Sequence, residues 1–340
     1  MKIDLRSDTL TKPTPAMLEF MMRAEVGDDV YKEDPTVNAL ENKIADYFGM
    51  DSALYFPTGS MTNQAAIKIH TQPGEQLIAD KYAHVYNYEG GGVSFNSGVS
   101  CKLLDGERGK LNAAQIEEAI NPPDFYHSPL TSLVCLENTT NKGGGACYDL
   151  NTIGRIREVC NKHNLGLHLD GARLWNALVA TGQKPKEFGK LFDTISVCLS
   201  KGLGAPMGSV LVGNQQLMDK AIRVRKLLGG GMRQIGYMAA AGLYALDYHI
   251  DRMEDDHRKA KELADALDKL HIVGQVDEVE TNILIFQLKD VKGVNTFIER
   301  LAEDDILISN MGQGKLRIVT HYDYDNQAHN SLLAILNQRQ

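Results

Sequence analysis

The residues best placed to do chemistry follow apolar runs that end in glycine turns. Lys201 is central among them, because it lies between two short β-type runs, residues 194–199 and 209–212, and is followed by several glycines. This pattern predicts a strand, a tight turn and a second strand. Partly apolar surroundings lower the pKa of a lysine, and the neutral amine is then a nucleophile. The alternative is a solvated loop lysine, since most lysines lie at the surface.

A carboxylate also follows a predicted strand. Asp170 ends the apolar run of residues 165–169. A buried carboxylate needs a partner, and a ring nitrogen that gains a proton is a good one. A structural salt bridge, for example with Arg173, is the alternative interpretation.

A third position lies between a predicted strand and the start of a helix. Gly59 and Ser60 occupy it, and backbone N–H groups together with the helix dipole favour an anion such as phosphate there. The alternative is an ordinary capped helix with Ser60 or Thr58 as the N-cap.

Two histidines and two arginines complete the candidates. His84 and His127 lie near predicted strand ends, although a lone histidine is more often a surface or core residue. Arg233 follows a triple glycine, and Arg317 lies on a strand, facing away from its apolar neighbours. A guanidinium group suits a substrate carboxylate, whereas a solvated edge strand is the alternative for Arg317.

Taken together, these positions suit one cofactor. A phosphate seat, a carboxylate at a strand end and a lysine at a later strand end occur in that order along the chain. Pyridoxal phosphate needs these three groups, for its phosphate, its ring nitrogen and its Schiff base. The arginines are then left for the carboxylate of an amino acid.

Composition excludes several other classes of protein. The net charge is -8 and lysine and arginine form no block, so neither nucleic acid nor an anionic membrane is expected as a partner. No apolar stretch is long enough to span a bilayer, and the first residues do not resemble a signal peptide. The five cysteines are scattered, which favours reduced thiols, a cytoplasmic location and no zinc site. The run of residues 321–325, rich in His, Tyr and Asp, matches no standard metal spacing.

Strands and helices alternate through the first two thirds of the chain. This order predicts an α/β fold with a mostly parallel sheet and helices on both faces. We expect an N-terminal segment over residues 1–30 and a large domain over 31–248. A smaller C-terminal α+β domain is expected over residues 249–340, after a charged helix at 251–270.

Several sequence motifs occur in the order known from one family. The chain resembles the low-specificity L-threonine aldolases, in the β-eliminating-lyase group of fold-type-I pyridoxal-phosphate enzymes, nearly from end to end. The motifs are LRSDTLT (5–11), VGDDVYKEDPTVNALE (26–41), PTGSMTNQ (57–64), HLDGARLWNA (168–177), SKGLGAPMGSVLVG (200–213), GGGMRQ (229–234) and RIVTH (317–321).

The resemblance implies a role for each candidate residue. It makes Lys201 the Schiff-base lysine and Asp170 the partner of the pyridine nitrogen. It also implies the roles of the remaining residues, which are phosphate binding for Gly59, Ser60 and Arg233, cofactor stacking for His84, substrate-carboxylate binding for Ser7, Arg173 and Arg317, and a place near the substrate hydroxyl for His127.

The resemblance further implies an activity and an assembly. The activity is cleavage of L-threonine, L-allo-threonine and related β-hydroxy-α-amino acids to glycine and an aldehyde, with His84, His127 or a water as the base. The assembly is a homotetramer built from dimers with shared sites. The alternatives are β-elimination from another amino acid and a non-catalytic cofactor-binding protein.

Two segments differ from the family pattern. Thr140 replaces a histidine in Glu-Asn-Thr-His-Asn, and residues 31–36 read Tyr-Lys-Glu-Asp-Pro-Thr. Both differences leave the cofactor residues intact. They leave open which substrate is preferred and what the threo/erythro selectivity is.

Overall fold

A computed structural model describes residues 2–338 of this protein, so Met1, Arg339 and Gln340, at the ends of the predicted segments, lie outside the described residues. The strands are β1 Ile3–Asp4, β2 Ser52–Phe56, β3 Gln76–Asp80, β4 Ser100–Leu104, β5 Thr131–Glu137, β6 Gly166–Gly171, β7 Thr194–Cys198, β8 Ser209–Gly213, β9 Val273–Val276, β10 Ile283–Leu288, β11 Ile306–Leu307, β12 Ser309–Gly312 and β13 Lys315–Val319.

The helices connect these strands. They are α1 Pro15–Met22, α2 Pro35–Phe48, α3 Gly59–His70, α4 His84–Asn87, α5 Gly92–Ser97, α6 Ala113–Ala119, α7 Leu150–Lys162, α8 Leu174–Thr181, α9 Pro185–Leu191, α10 Gln215–Leu227, α11 Gly236–Tyr248, α12 Met253–Asp268, α13 Val294–Glu303 and α14 Asn326–Asn337, with short 3-10 turns at Asp8–Leu10, Asp29–Tyr31 and Val291–Gly293. None of these helices combines the length and apolarity needed to cross a bilayer.

The large sheet has seven strands in the order β2-β8-β7-β6-β5-β3-β4. Only β8 among them runs antiparallel to its neighbours, β2 and β7. The predicted α/β class, with a mostly parallel sheet, is therefore confirmed. Because the other six strands share one direction, their carboxyl ends meet at one edge, where ligands bind in such sheets.

A smaller α+β unit follows. Its sheet has the order β12-β13-β10-β9, and all of its pairings are antiparallel. The helices α12, α13 and α14 cover it and share one apolar core with it. The predicted division at residue 249 stays a prediction.

The N-terminal segment connects the two cores. Ile3 and Leu5 are buried in the core of the smaller unit, and β1 pairs with β11. Met17 and Met21 of α1 belong instead to the large core, where α1 packs on α11. The residues between these two anchors, including Ser7 and Asp8, are thereby held over the carboxyl edge of the large sheet.

Candidate active site

Lys201 lies in the predicted turn between β7 and β8. Its carbonyl oxygen accepts hydrogen bonds from Thr11 Oγ1 and from the Gly204 N–H, both at 2.8 Å. Gly204 and Gly208 have φ values of +77° and +113°, a region that residues with a Cβ rarely adopt. The predicted strand, turn and strand are confirmed, and the backbone of the lysine is fixed by its surroundings.

A cavity of about 320 Å³ opens beside this lysine. Five of the predicted site residues line it, and they come from different parts of the chain. These residues are Ser7, His84, Arg173, Lys201 and Arg317. The structure therefore brings together two predicted carboxylate-binding arginines and the predicted nucleophile.

The start of α3 lies next to the end of β7. Thr58 is its N-cap, since Thr58 Oγ1 accepts from the Met61 N–H at 3.2 Å. A Cβ added to Gly59 would lie 2.8 Å from Cys198 Sγ, so the helix start approaches this strand more closely than a side chain would permit. Capping by Thr58 leaves Gly59 and Ser60 in the first turn, where backbone N–H groups have no partner within the helix.

Asp170 belongs to a buried hydrogen-bond network. Its Oδ2 accepts from Asn63 Nδ2 at 2.9 Å and its Oδ1 from the Ala172 N–H at 3.1 Å. Asn63 lies on α3, so this contact ties the predicted phosphate seat to the predicted partner of a ring nitrogen. The alternative of a salt bridge between Asp170 and Arg173 is wrong, because the hydrogen bonds of Arg173 go to Asp8.

Arg173 forms a buried, bidentate ion pair. Its Nε and Nη2 donate to the two carboxylate oxygens of Asp8, each at 2.7 Å. Burial alone would raise the pKa of Asp8, but the charges of Arg173 and Lys201 hold that pKa well below its usual range. Sequence reasoning missed Asp8, although it follows Ser7 in the first motif. Arg173 keeps Nη1 for a ligand, since this atom bonds to none of the described residues.

Arg317 approaches the cavity from the smaller unit. Nη1 donates to Asn141 Oδ1 at 2.7 Å and Nη2 to the carbonyl of Arg6 at 3.0 Å. Its Nε is buried and has no partner among residues 2–338. Burial and the neighbouring charge of Arg173 lower the pKa of Arg317. An anionic ligand would relieve both effects, because it would supply the missing acceptor and a negative charge.

His84 is held by two carboxylates that sequence reasoning missed. Its Nδ1 lies 2.9 Å from Glu89 Oε1, and its backbone N–H donates to Glu137 Oε2 at 2.8 Å. Burial, with the nearby charge of Asp170, raises the pKa of Glu137 to about 7. Neither glutamate has a spacing signal of its own. Glu89 precedes a triple glycine, and Glu137 is simply the last residue of β5.

His127 and Arg233, like Gly59, Ser60 and Asp170, are not among the residues that line the cavity. His127 is in an exposed loop before β5, against Tyr126 at a ring-centroid distance of 4.0 Å. This loop lies at the amino end of β5, whereas the cavity lies beyond its carboxyl end. The two ends of β5 are about 20 Å apart, at about 3.3 Å per residue. Arg233 is 60% exposed and pairs with Asp28. The structure therefore does not bring either residue into the lining of its own chain's cavity, and their roles stay predictions.

Thr140, which replaces the family's histidine, is buried away from the cavity. The Oγ1 of Thr140 donates to the carbonyl of Arg108 at 2.9 Å, and a Cβ added to Gly109 would lie 3.2 Å from the Cβ of Thr140. Asn141 and Lys142, the next residues, line the cavity instead. The substitution therefore changes the packing behind the site and not its lining.

The fold and the site together define a class of enzyme, and comparison with known proteins gives the family. The Beta-eliminating lyase family matches residues 4–291. The chain is 42% identical to low-specificity L-threonine aldolase 1 of Arabidopsis thaliana, over 94% of this chain and 91% of that protein. It is 40% identical to the low specificity L-threonine aldolase of Escherichia coli K12, over 96% and 95% of the two chains. This chain therefore belongs to the β-eliminating lyase family and groups there with the low-specificity L-threonine aldolases.

Solved structures agree on the fold. The threonine aldolase of Leishmania major superposes with a TM-score of 0.86 over 99% of each chain, at 22% identity. Serine palmitoyltransferase of Sphingomonas wittichii superposes with a TM-score of 0.77 over 99% of this chain and 87% of its own, at 15% identity. At such identities the likeness concerns the fold, which is the fold-type-I architecture that the resemblance implied.

Proposed function

We propose that this protein is a pyridoxal-phosphate-dependent aldolase that cleaves L-threonine, L-allo-threonine and related β-hydroxy-α-amino acids to glycine and an aldehyde. The observation that carries the proposal is the single cavity that Lys201 shares with two arginines. An amine that can attack a carbonyl group lies there beside two groups that bind a carboxylate. Relatives at 40–42% identity carry the name L-threonine aldolase.

The residues present fit the cofactor. The first turn of α3 offers backbone N–H groups to a phosphate, and Asp170, buried one strand away from Lys201, suits a protonated ring nitrogen. Lys201 would hold the cofactor covalently, and His84 would cover its ring. When bound, pyridoxal phosphate supplies an electron sink for the pair released from the broken Cα–Cβ bond.

The remaining residues bind and orient the substrate. Ser7, Arg317 and the free Nη1 of Arg173 take the carboxylate, which fixes the β-hydroxyl group relative to the histidines. Cleavage requires a base for the proton of that hydroxyl group. His84, His127 and a bound water are the candidates, because histidine titrates near neutral pH.

The test is an aldol-cleavage assay on L-threonine and L-allo-threonine side by side. Acetaldehyde and glycine are expected from both. Pyruvate and ammonia would instead identify a β-eliminating enzyme, and no turnover would indicate a binding protein. Lys201→Ala should lose activity and the visible absorbance of the lysine-bound cofactor. If it kept both, the role of Lys201 would be refuted.

We also propose a cytoplasmic homotetramer, built from dimers with shared sites. Its support is the exposure of apolar side chains in the His127 loop, namely Phe125 (53%) and Tyr126 (87%). His127 and Arg233, which do not line the cavity of their own chain, would then serve the cavity of a second subunit. The cysteines are all unpaired, which suits a reducing compartment.

Subunit complementation tests the shared site. Lys201→Ala and His127→Asn chains are coexpressed and the mixed dimers purified with two different tags. In a mixed dimer, the cavity of the His127→Asn chain keeps Lys201. If sites are shared, this cavity receives the unchanged His127 loop of the Lys201→Ala chain. If the sites are shared, activity should rise well above that of either variant alone. If each cavity uses its own His127, no activity will be recovered.

A further inference from the structure

Glu89 is a buried carboxylate beside the site, with a role that no motif indicates. Its side chain is 0% exposed. Oε1 accepts from Asn63 Nδ2 at 2.9 Å and meets His84 Nδ1 at 2.9 Å, while Oε2 accepts from Gln64 Nε2 at 2.6 Å. A buried charge is costly unless its hydrogen bonds are satisfied, and these three contacts satisfy both oxygens.

A single amide group joins Glu89 to Asp170. Asn63 Nδ2 donates to Glu89 Oε1 and to Asp170 Oδ2, each at 2.9 Å. The amide cannot be turned over, since its oxygen would then face two carboxylate oxygens that only accept hydrogen bonds; in the observed orientation its Oδ1 accepts from Ser196 Oγ at 2.6 Å. Two carboxylates therefore lie side by side with one neutral donor between them. If Glu89 served only to hold its neighbours in place, its negative charge beside Asp170 would not be needed, because a neutral side chain can bond to the same groups.

We propose that Glu89 is a positioning residue that holds a proton on Nδ1 of His84 and thereby leaves Nε2 of that ring to meet the ligand. A carboxylate only accepts hydrogen bonds, so the contact at 2.9 Å requires N–H at Nδ1. Nε2 bonds to no residue between 2 and 338, and the ring lines the cavity. In the neutral ring, Nε2 is then the basic nitrogen. The chemical purpose of this proton rests on the proposed function, whereas the geometry around His84 does not depend on that function.

Several other charged groups around His84 affect its pKa together with Glu89. The carboxylates of Asp170 at the end of β6 and Glu137 at the end of β5 face it, as does the cation of Lys201 after β7. Burial and Lys201 disfavour the charged ring. The hydrogen bond to Glu89 and the charges of Asp170 and Glu89 outweigh them and raise the pKa of His84. Removing the charge of Glu89 should therefore make His84 a weaker base.

The test is the titration of His84 in Glu89→Gln, measured in the cofactor-free protein. Histidine labelled with 13C at Cε1 and with 15N allows NMR titration of each ring, and His84→Phe assigns the signal. We expect the pKa of His84 to fall by about 1 unit, as for loss of one close opposite charge. The 15N shifts of the unchanged protein should show the proton on Nδ1.

Gln64→Leu is the matched control, because it removes a hydrogen bond of Glu89 and keeps its charge. It should shift the pKa of His84 less than Glu89→Gln does, whereas a purely structural role would make both variants act alike. Glu117→Gln, which removes a carboxylate from the surface histidine His163, checks for remote effects on His84.

The proposal is refuted if Glu89→Gln leaves the titration of His84 unchanged, or if Gln64→Leu shifts it equally. If the cofactor-loaded enzyme is active, the acidic limb of its kcat/KM profile should move in parallel in Glu89→Gln. Because the NMR readout needs no turnover, a failure of the proposed aldolase activity would appear separately in the assay of the unchanged protein.

Discussion

At the scale of single residues, the site depends on buried charges that compensate one another. Arg173 is neutralised by Asp8, whereas Arg317 is bonded only to neutral acceptors. The cavity is therefore more positive than its surroundings on the side of the predicted substrate carboxylate. The sequence identified both arginines. It missed Asp8, since a single aspartate on an irregular segment has no periodicity that marks it.

Replacing Asp8 by Asn should destabilise the fold strongly. The change keeps the shape but leaves the buried Arg173 charge without a partner, at a cost of about 3–5 kcal/mol. Urea denaturation at fixed protein concentration measures it. Asp4→Asn is the control, because Asp4 pairs with the half-exposed Arg6 and should cost at most about 1 kcal/mol. Equal losses in both variants would contradict the importance of the buried pair.

Arg317→Lys should weaken substrate binding more than turnover. Lysine is a point charge and cannot keep the bonds to Asn141 and Arg6 while facing a carboxylate. KM for L-threonine should rise by about tenfold, or about 1.4 kcal/mol, with a smaller change in kcat. Arg258→Lys, on the exposed face of α12, should leave both constants unchanged. An unaltered KM in Arg317→Lys would exclude Arg317 from carboxylate binding.

At the scale of elements, the site is positioned where helices and loops follow parallel strands. The hydrophobic patterns predicted β2, β7 and β8 well, because each is a buried run with a turn signal after it, and β13 through the alternation of its apolar and charged residues. β4 was not predicted, since its residues are exposed or half-buried at the sheet edge and show no buried run. The approach of α3 to β7 was likewise invisible to the sequence, because it depends on the missing side chain of Gly59 and on a cysteine 139 positions away.

Gly59→Ala should separate α3 from β7. The added methyl group would lie 2.8 Å from Cys198 Sγ, and overpacking of this kind costs about 1–3 kcal/mol. Both the melting temperature and the affinity for pyridoxal phosphate should fall. Adding Cys198→Ala should restore part of each, because it removes the clashing atom.

Gly154→Ala is the control for this helix substitution. Its Cβ would meet nothing within 4 Å on α7, so stability should rise by up to about 1 kcal/mol. If Gly59→Ala behaved in the same way, the close contact between α3 and β7 would have no energetic importance.

At the scale of the whole molecule, two buried histidines, His168 and His257, and the half-buried His70 contribute sensitivity to acid. Burial lowers the pKa of His70 and of His257 to about 4 and that of His168 to about 3. Each folded-state pKa lies below the unfolded value of about 6.5. The unfolded chain thus binds these protons first, and the contribution of the three histidines to the free energy of unfolding falls as the pH drops from about 6.5 to 4. Two buried carboxyl groups with raised folded pKa values, Glu137 at about 7 and Asp256 at about 6, oppose this contribution over part of the same range.

His257→Gln should reduce this acid sensitivity. Glutamine can still donate to Asn176 Oδ1, which His257 contacts at 3.0 Å, but it does not titrate. Between pH 7 and 5 the loss of stability should be smaller by about 1–2 kcal/mol, at 1.36 kcal/mol per pKa unit. Urea midpoints across this range measure it. His271→Gln, at an exposed histidine before β9, is the control, and an unchanged pH dependence in His257→Gln would contradict the prediction.

The sequence by itself determined the fold class, the family and the lysine at the centre of the site. Those depend on local features, namely buried runs, glycine turns and short motifs, which are read from neighbouring residues. Only the tertiary structure decided which side chains meet. Asp8 reaches Arg173 across 165 positions and Asn63 reaches Asp170 across 107, and sequence spacing carries no information about such contacts. The proton on His84 is governed in the same way, because burial and charges from separate strands set its environment.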